Sequence, residues 1–167
     1  MPGGQRAGKI MFILDTENLI NTLKENNQTL WEYALNQEME RSGRTREELR
    51  EQMDQSLSVM ERSAQKARRE PVRSVSGLTG GNACLYEQYR QEGKSLLGEV
   101  ASLAVGMALS CSEINASMQC IVACPTAGSC GIVPAAVLAC AQSRGLDREC
   151  MVNALFTASA IGIIIGS

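Results

Sequence analysis

Apolar positions in this chain recur every three or four residues, the period of helices, and no stretch alternates strictly in twos as a half-buried strand does. The pattern predicts an all-α fold. Thr16 can cap a short helix reaching about Lys24. Thr29 can cap a second, with Leu30, Tyr33, Ala34 and Met39 leaning to one side and a stop near Gly43. Thr45-Arg-Glu-Glu48 has the form of a capping box, in which side chain and backbone at the two ends satisfy each other. From it runs a long amphipathic helix with Leu49, Met53, Leu57, Met60, Ala64 and Ala67 on one stripe, ended by Pro71.

Further helices are predicted over about Ala83–Arg90, Gly98–Leu109, Val133–Ser143 and Cys150–Ile165, with Gly145 as a stop and Asp147 as a cap. The polar stretch Ser112–Ser117 reads as the lead into a loop. Cys120–Ala123 is the one candidate for a short strand, too short to make a sheet. Residues 1–10 read as a flexible tail, with patterned sequence beginning at Met11. Residues 11–73 read as amino-terminal amphipathic helices and 74–167 as a glycine-loop region, the two forming one domain.

Two loops interrupt the helical pattern, and both are rich in glycine and hydroxyls. One is Ser74-Val-Ser-Gly-Leu-Thr-Gly-Gly81; the other is Pro125-Thr-Ala-Gly-Ser-Cys-Gly131. A loop that opens onto a helix amino terminus presents unpaired N–H groups and a partial positive charge, which seat a carboxylate or phosphate. Taken singly, each loop is simply a turn with capping hydroxyls. If the two meet, they form a pocket of hydroxyls and amides with few formal charges, suited to a small zwitterion or carboxylate. Neither loop carries the lysine of a phosphate-binding P-loop.

Charge sharpens that division. Twelve of the 16 Lys/Arg and 12 of the 18 Asp/Glu fall in residues 1–76, so the later part reads as core or interface. The net charge of −2 recommends neither nucleic acid nor a membrane surface as partner. Ala160–Ser167 is apolar without a polar end; the reading is a chain cut inside a buried helix, with a membrane anchor as the alternative. About sixteen mostly apolar residues fall short of the roughly 20 needed to span a bilayer.

Histidine is absent, which removes Ser-His-Asp and Cys-His arrangements within this sequence. Seven cysteines without a signal peptide point to reduced thiols in the cytoplasm. The spacing of Cys120, Cys124 and Cys130 matches neither common zinc nor ferredoxin patterns, so they read as packing residues, with a cluster site as the alternative. Lys94, between Gly93 and Ser95, reads as a solvated turn; a Schiff-base lysine of a pyridoxal-dependent deaminase is its alternative.

Ser76-Gly-Leu-Thr-Gly-Gly81, Glu113-Ile-Asn-Ala-Ser-Met118 and Pro125-Thr-Ala-Gly-Ser-Cys-Gly-Ile-Val-Pro134 together resemble the alpha chain of iron–sulfur-dependent L-serine dehydratase, also called L-serine ammonia-lyase. Gln37-Glu-Met39 and Met53-Asp-Gln-Ser-Leu-Ser-Val-Met60 are similar to that chain's amino-terminal helices, so the likeness runs from about Met11 to Ser167. The resemblance implies an all-helical catalytic domain, conversion of L-serine to pyruvate and ammonia in serine catabolism and gluconeogenesis, and a 4Fe–4S cluster acting as Lewis acid. It also implies a beta chain or beta domain as partner, in an oligomer. The sequence departs from the family at Asn82, where Asp is common, and at Cys130, where a small residue is frequent. The family's cluster cysteines fall beyond the segment equivalent to Ile161–Ser167, so no metal ligand is expected within this chain.

On that resemblance, the substrate carboxylate is assigned to Thr126, Gly128, Ser129 and Gly131. Ser76, Gly77 and Thr79 line the opposite wall. Asn115 and Ser117 contact the amino group or orient the loop. Glu113 is the nearest carboxylate to serve as base, although a helix cap or a partner for a cation is the commoner use of such a residue. The rival reading is a non-catalytic helical fragment or interaction module presenting the Leu49–Ala67 stripe.

Overall fold

A computed structural model of the protein describes residues 16–166; the expected tail over 1–10 and the start at Met11 lie outside them. The described residues form seven α-helices: α1 Thr16–Glu25, α2 Leu30–Ser42, α3 Arg46–Arg69, α4 Asn82–Gln91, α5 Glu99–Ala116, α6 Ile132–Arg144 and α7 Arg148–Ile165. A single 3₁₀ turn, Ala127–Ser129, precedes α6, and no strand occurs among the described residues. Cys120–Ala123 is therefore not a strand; the one β-type pairing described is an isolated antiparallel bridge between Arg73 and Gly80.

The helix ends follow local chemistry. At the start of α3, Thr45 N–H donates to Glu48 Oε2 at 2.8 Å and Glu48 N–H donates to Thr45 Oγ1 at 3.2 Å, the reciprocal box. Asp147 Oδ1 accepts the Cys150 N–H at 2.8 Å at the head of α7. α2 and α6 end on Gly43 and Gly145, both left-handed, at φ 69° and 62°.

α3 is the axis of the bundle: it lies along α5 and also touches α2, α4, α6 and α7. Its predicted stripe is the buried one at Leu49, Leu57, Met60, Ala64 and Ala67. The first four of these side chains join Leu35 from α2, Leu103, Met107 and Cys111 from α5, Leu138 and Ala139 from α6, and Val152, Leu155 and Phe156 from α7 in one core. Arg148 fastens α7 across α3, donating to the Asp54 carboxylate, to Glu61 Oε2 at 2.9 Å and to Ser58 Oγ at 2.6 Å.

α5 departs from expectation. The pattern ends it near Leu109, yet it continues two turns through the polar residues to Ala116. Those polar side chains are satisfied by neighbouring helices. Ser110 Oγ donates to Ser63 O at 2.6 Å and accepts the Ala67 N–H at 3.0 Å, both on α3. With its polar atoms paired, Ser110 is fully buried without interrupting the helix.

At 18 residues, α7 is long and apolar enough to cross a membrane by length and composition. Val152, Leu155, Phe156 and Ala160 nonetheless sit in the core, while Ile161, Ile163 and Ile165 on its last turns are exposed.

Candidate functional site

The last turn of α5 fastens both glycine loops. Ala116 O accepts the N–H of Val75, in the first loop, at 3.1 Å. One residue earlier, Asn115 Nδ2 donates to Ala127 O, in the second loop, at 3.0 Å. Two residues before that, Glu113 Oε1 accepts the N–H groups of Asn82 and Ala83, at 2.6 and 3.2 Å, where the first loop enters α4. Ser117 Oγ donates to Ile114 O at 2.8 Å and closes the helix end. The Asn115 side chain thus ties the second loop to α5. Ser117 donates its hydroxyl proton within its own helix, and Glu113 Oε1 caps α4.

The first loop is a tight reversal. Ser74 N–H donates to Thr79 O at 2.9 Å and Gly81 N–H to Val72 O at 3.1 Å. Gly80 sits at φ 136°, and a Cβ there would lie 2.1 Å from Val72 O, so no side chain fits. Ser76 Oγ is 3.1 Å from Ser74 Oγ and accepts a long bond, 3.4 Å, from Leu78 N–H. Ser76, Gly77 and Thr79 are all exposed. The loop's base rests on a small apolar cluster of Ala67, Val72, Ala83 and Ile114.

The second loop leaves a cis Cys124–Pro125 bond and turns through the 3₁₀ segment. Thr126 and Ser129 hold each other: Ser129 N–H donates to Thr126 Oγ1 at 3.3 Å and Thr126 N–H to Ser129 Oγ at 3.2 Å. Ser129 Oγ also lies 3.1 Å from Cys124 O. Gly131 is pressed against α5, where a Cβ would meet Ala108 O at 2.8 Å. Gly128 is exposed. α6 begins directly after Gly131, so the first-turn amides of Ile132 and Val133 lie beside the loop.

Each loop is therefore bonded to α5, and through it the two are held at one end of the same helix. The roomiest groove described, about 620 Å³, lies elsewhere, lined by residues of α3, α4 and α6. Sequence reasoning missed the ion cluster beside that groove: buried Glu87 accepts from Arg68 at 2.9 Å and from Arg90 at 2.7 Å. Burial opposes its charge, but hydrogen bonds from Arg90 and Arg68 prevail and hold its carboxyl at about 2. The i,i+3 pair Glu87–Arg90 was the available signal.

Cysteine chemistry at the second loop is subdued. Burial pushes the Cys111, Cys124 and Cys130 thiols up, away from the thiolate that binds metal or attacks. Cys130 Sγ is directed at Cys111 O, 3.8 Å away, while Cys120 is exposed. Among the described residues, no group of three or more His, Cys, Asp or Glu is gathered to hold a metal ion. These residues do not fit an iron–sulfur cluster. Lys94 is on the surface, paired to Glu92 at 2.6 Å, which is a solvated turn and not a Schiff-base pocket.

A helical domain presenting two glycine loops from one helix end is a class of architecture, and comparison with known proteins assigns it. The sequence profile described as serine dehydratase alpha chain matches residues 25–167. The chain belongs to the serine dehydratase alpha chain family. It is 40% identical over 153 residues to the probable L-serine dehydratase alpha chain of Bacillus subtilis (strain 168), covering 92% of this chain and 51% of that protein. It is 35% identical over 147 residues to the L-serine dehydratase alpha chain of Peptoniphilus asaccharolyticus, covering 88% and 50%. The chain thus spans about half the length of these curated relatives. No solved structure matches it.

Proposed function

We propose that this chain supplies the amino-acid-binding end of an L-serine ammonia-lyase, which dehydrates and deaminates L-serine to pyruvate and ammonia. The observation that carries the reading is the attachment of both glycine loops to the last turn of α5, in a member of the serine dehydratase alpha chain family. The substrate carboxylate sits at the second loop, against the 3₁₀ amides and the first turn of α6, where a helix amino terminus favours negative charge. Holding the carboxylate in hydrogen bonds makes the α-proton more acidic, which lowers the barrier to its removal. Thr126 and Ser129 act chiefly by shaping the turn that presents those amides, because their hydroxyls already bond within it. Ser76, Gly77 and Thr79 form the facing wall.

A 4Fe–4S cluster belongs to the proposal for the complete enzyme; as a Lewis acid it would ease departure of hydroxide. The described residues gather no ligand group for it, and no step at this end of the chain passes through it. A beta chain as partner, an oligomeric state and a cytoplasmic location complete the reading, the last supported by seven free cysteines.

The test is to combine the 167-residue chain with the remaining half of an alpha chain and a beta chain, under anaerobic reconstitution with iron and sulfide. Pyruvate formed from L-serine, and dependent on this chain, is expected. No pyruvate despite folded chains and incorporated iron contradicts the reading. A second reading, a helical module without catalysis, is favoured by the scattered cysteines; it predicts assembly of the same mixture without turnover.

A further inference from the structure

Glu113 carries an oxygen for which the described residues provide no partner. The side chain is 8% exposed, and its Oε1 is fully used by two α4 amides. Its Oε2 is buried and accepts no hydrogen bond from the described residues. A buried carboxylate oxygen left in that state is costly, and native structures rarely keep one without a reason. Its place is telling: two residues before Asn115 and three before Ala116, the groups that tie down the two loops.

An α-amino acid needs donors for its carboxylate and an acceptor, preferably anionic, for its ammonium. The loops offer amides and hydroxyls, which serve the first need. For the second, residues 74–131 contain four carboxylates: Glu87, Glu92, Glu99 and Glu113. Glu87 is consumed by Arg68 and Arg90, and Glu92 is paired with Lys94. Glu99 begins α5, about 20 Å along the axis from Glu113 at 1.5 Å per residue. Glu113 remains, with one oxygen uncommitted and at the correct end of the helix.

We propose that Glu113 Oε2 receives the ammonium group of the amino acid whose carboxylate the 126–131 loop holds, so that the site selects zwitterions over plain hydroxy acids. This rests on the reading of the two loops as an amino-acid site. Oε2 is covered in the structure, so the proposal requires the adjoining chain to part for an ammonium to reach it. Gly80 and Gly81, which directly precede the two amides bound to Oε1, have no side chains to move aside.

Calorimetric binding of L-serine and of 3-hydroxypropanoate, which lacks only the ammonium, tests this on the 167-residue chain and on Glu113→Gln. The glutamine carbonyl oxygen can still accept from Asn82 and Ala83, while the free oxygen becomes an amide N–H₂. The wild type is expected to prefer L-serine. In Glu113→Gln, L-serine affinity falls about ten-fold or more, the weight of a charge-assisted hydrogen bond, and 3-hydroxypropanoate affinity is unchanged. Equal loss for both ligands, or loss for neither, overturns the inference, Oε2 then being satisfied by water or a proton. If the wild type binds neither ligand, the amino-acid site itself falls. Should Glu113→Gln fail to fold, the ¹³C shift of the Glu113 carboxyl in the wild type decides: movement with L-serine but not with 3-hydroxypropanoate is expected, and identical responses overturn the proposal.

Discussion

Single residues decide whether the loops hold their shape, and the tightest case is Gly80. At φ 136°, with Val72 O only 2.1 Å from where a Cβ would stand, Gly80→Ala must displace the bridge to Arg73. A loss of at least about 2 kcal/mol in urea unfolding is expected from the combined strain and overlap. Ser129→Ala removes a hydroxyl that caps the 3₁₀ turn and lies on Cys124 O, so it should cost about 1 kcal/mol and weaken L-serine binding together. Unchanged unfolding and unchanged binding would remove Ser129 from the loop's architecture. The hydroxyls and glycines of both loops were legible from composition, since few other residues combine turn-forming freedom with hydrogen-bonding capacity. Their internal bonding was not legible. A hydroxyl free in a sequence is equally able to serve a substrate or its own backbone, and here geometry favours the backbone.

Helix ends were the elements read most faithfully, because capping is local. Thr45, Glu48, Asp147, Gly43 and Gly145 all act within a few residues of themselves. The end of α5 was misread because its polar residues are satisfied by α3 and α4, partners that sequence distance hides. That same hidden stretch is the hub of the candidate site. Thr45→Ala should lower stability by about 1 kcal/mol, measured by denaturant titration, through loss of one box partner. The contact of α4 with α3 has a pH signature. Glu87 holds a proton at about 2 in the folded chain against an ordinary value of 4.5, so the unfolded chain binds protons more readily. Its stabilising contribution is complete above about pH 4.5 and disappears as pH falls toward 2. Thermal unfolding between pH 5 and pH 2.5 should show that loss, and Glu87→Gln should flatten this component of the profile.

At the scale of the whole molecule, large apolar side chains stand exposed in two regions. Val75, Leu78, Met118 and Ile132 stand out around the loops, and Ile161, Ile163 and Ile165 at the end of α7. Exposed apolar side chains favour association where they gather into a patch. Sedimentation velocity of the isolated chain should reveal concentration-dependent self-association, reduced by Ile161→Gln with Ile163→Gln. A monomer at every concentration would argue against an interface there. The curated relatives it matches are about twice as long.

Amide chemical shifts during an L-serine titration of the ¹⁵N-labelled chain bear on the shared site most directly. If one amino acid is held between the loops, amides of residues 74–81 and of 126–131 move together with a single dissociation constant, and those around Glu87 and Arg148 stay still. Movement in one loop alone, separate constants for the two, or no movement at concentrations that saturate an enzyme of this family would contradict a common site.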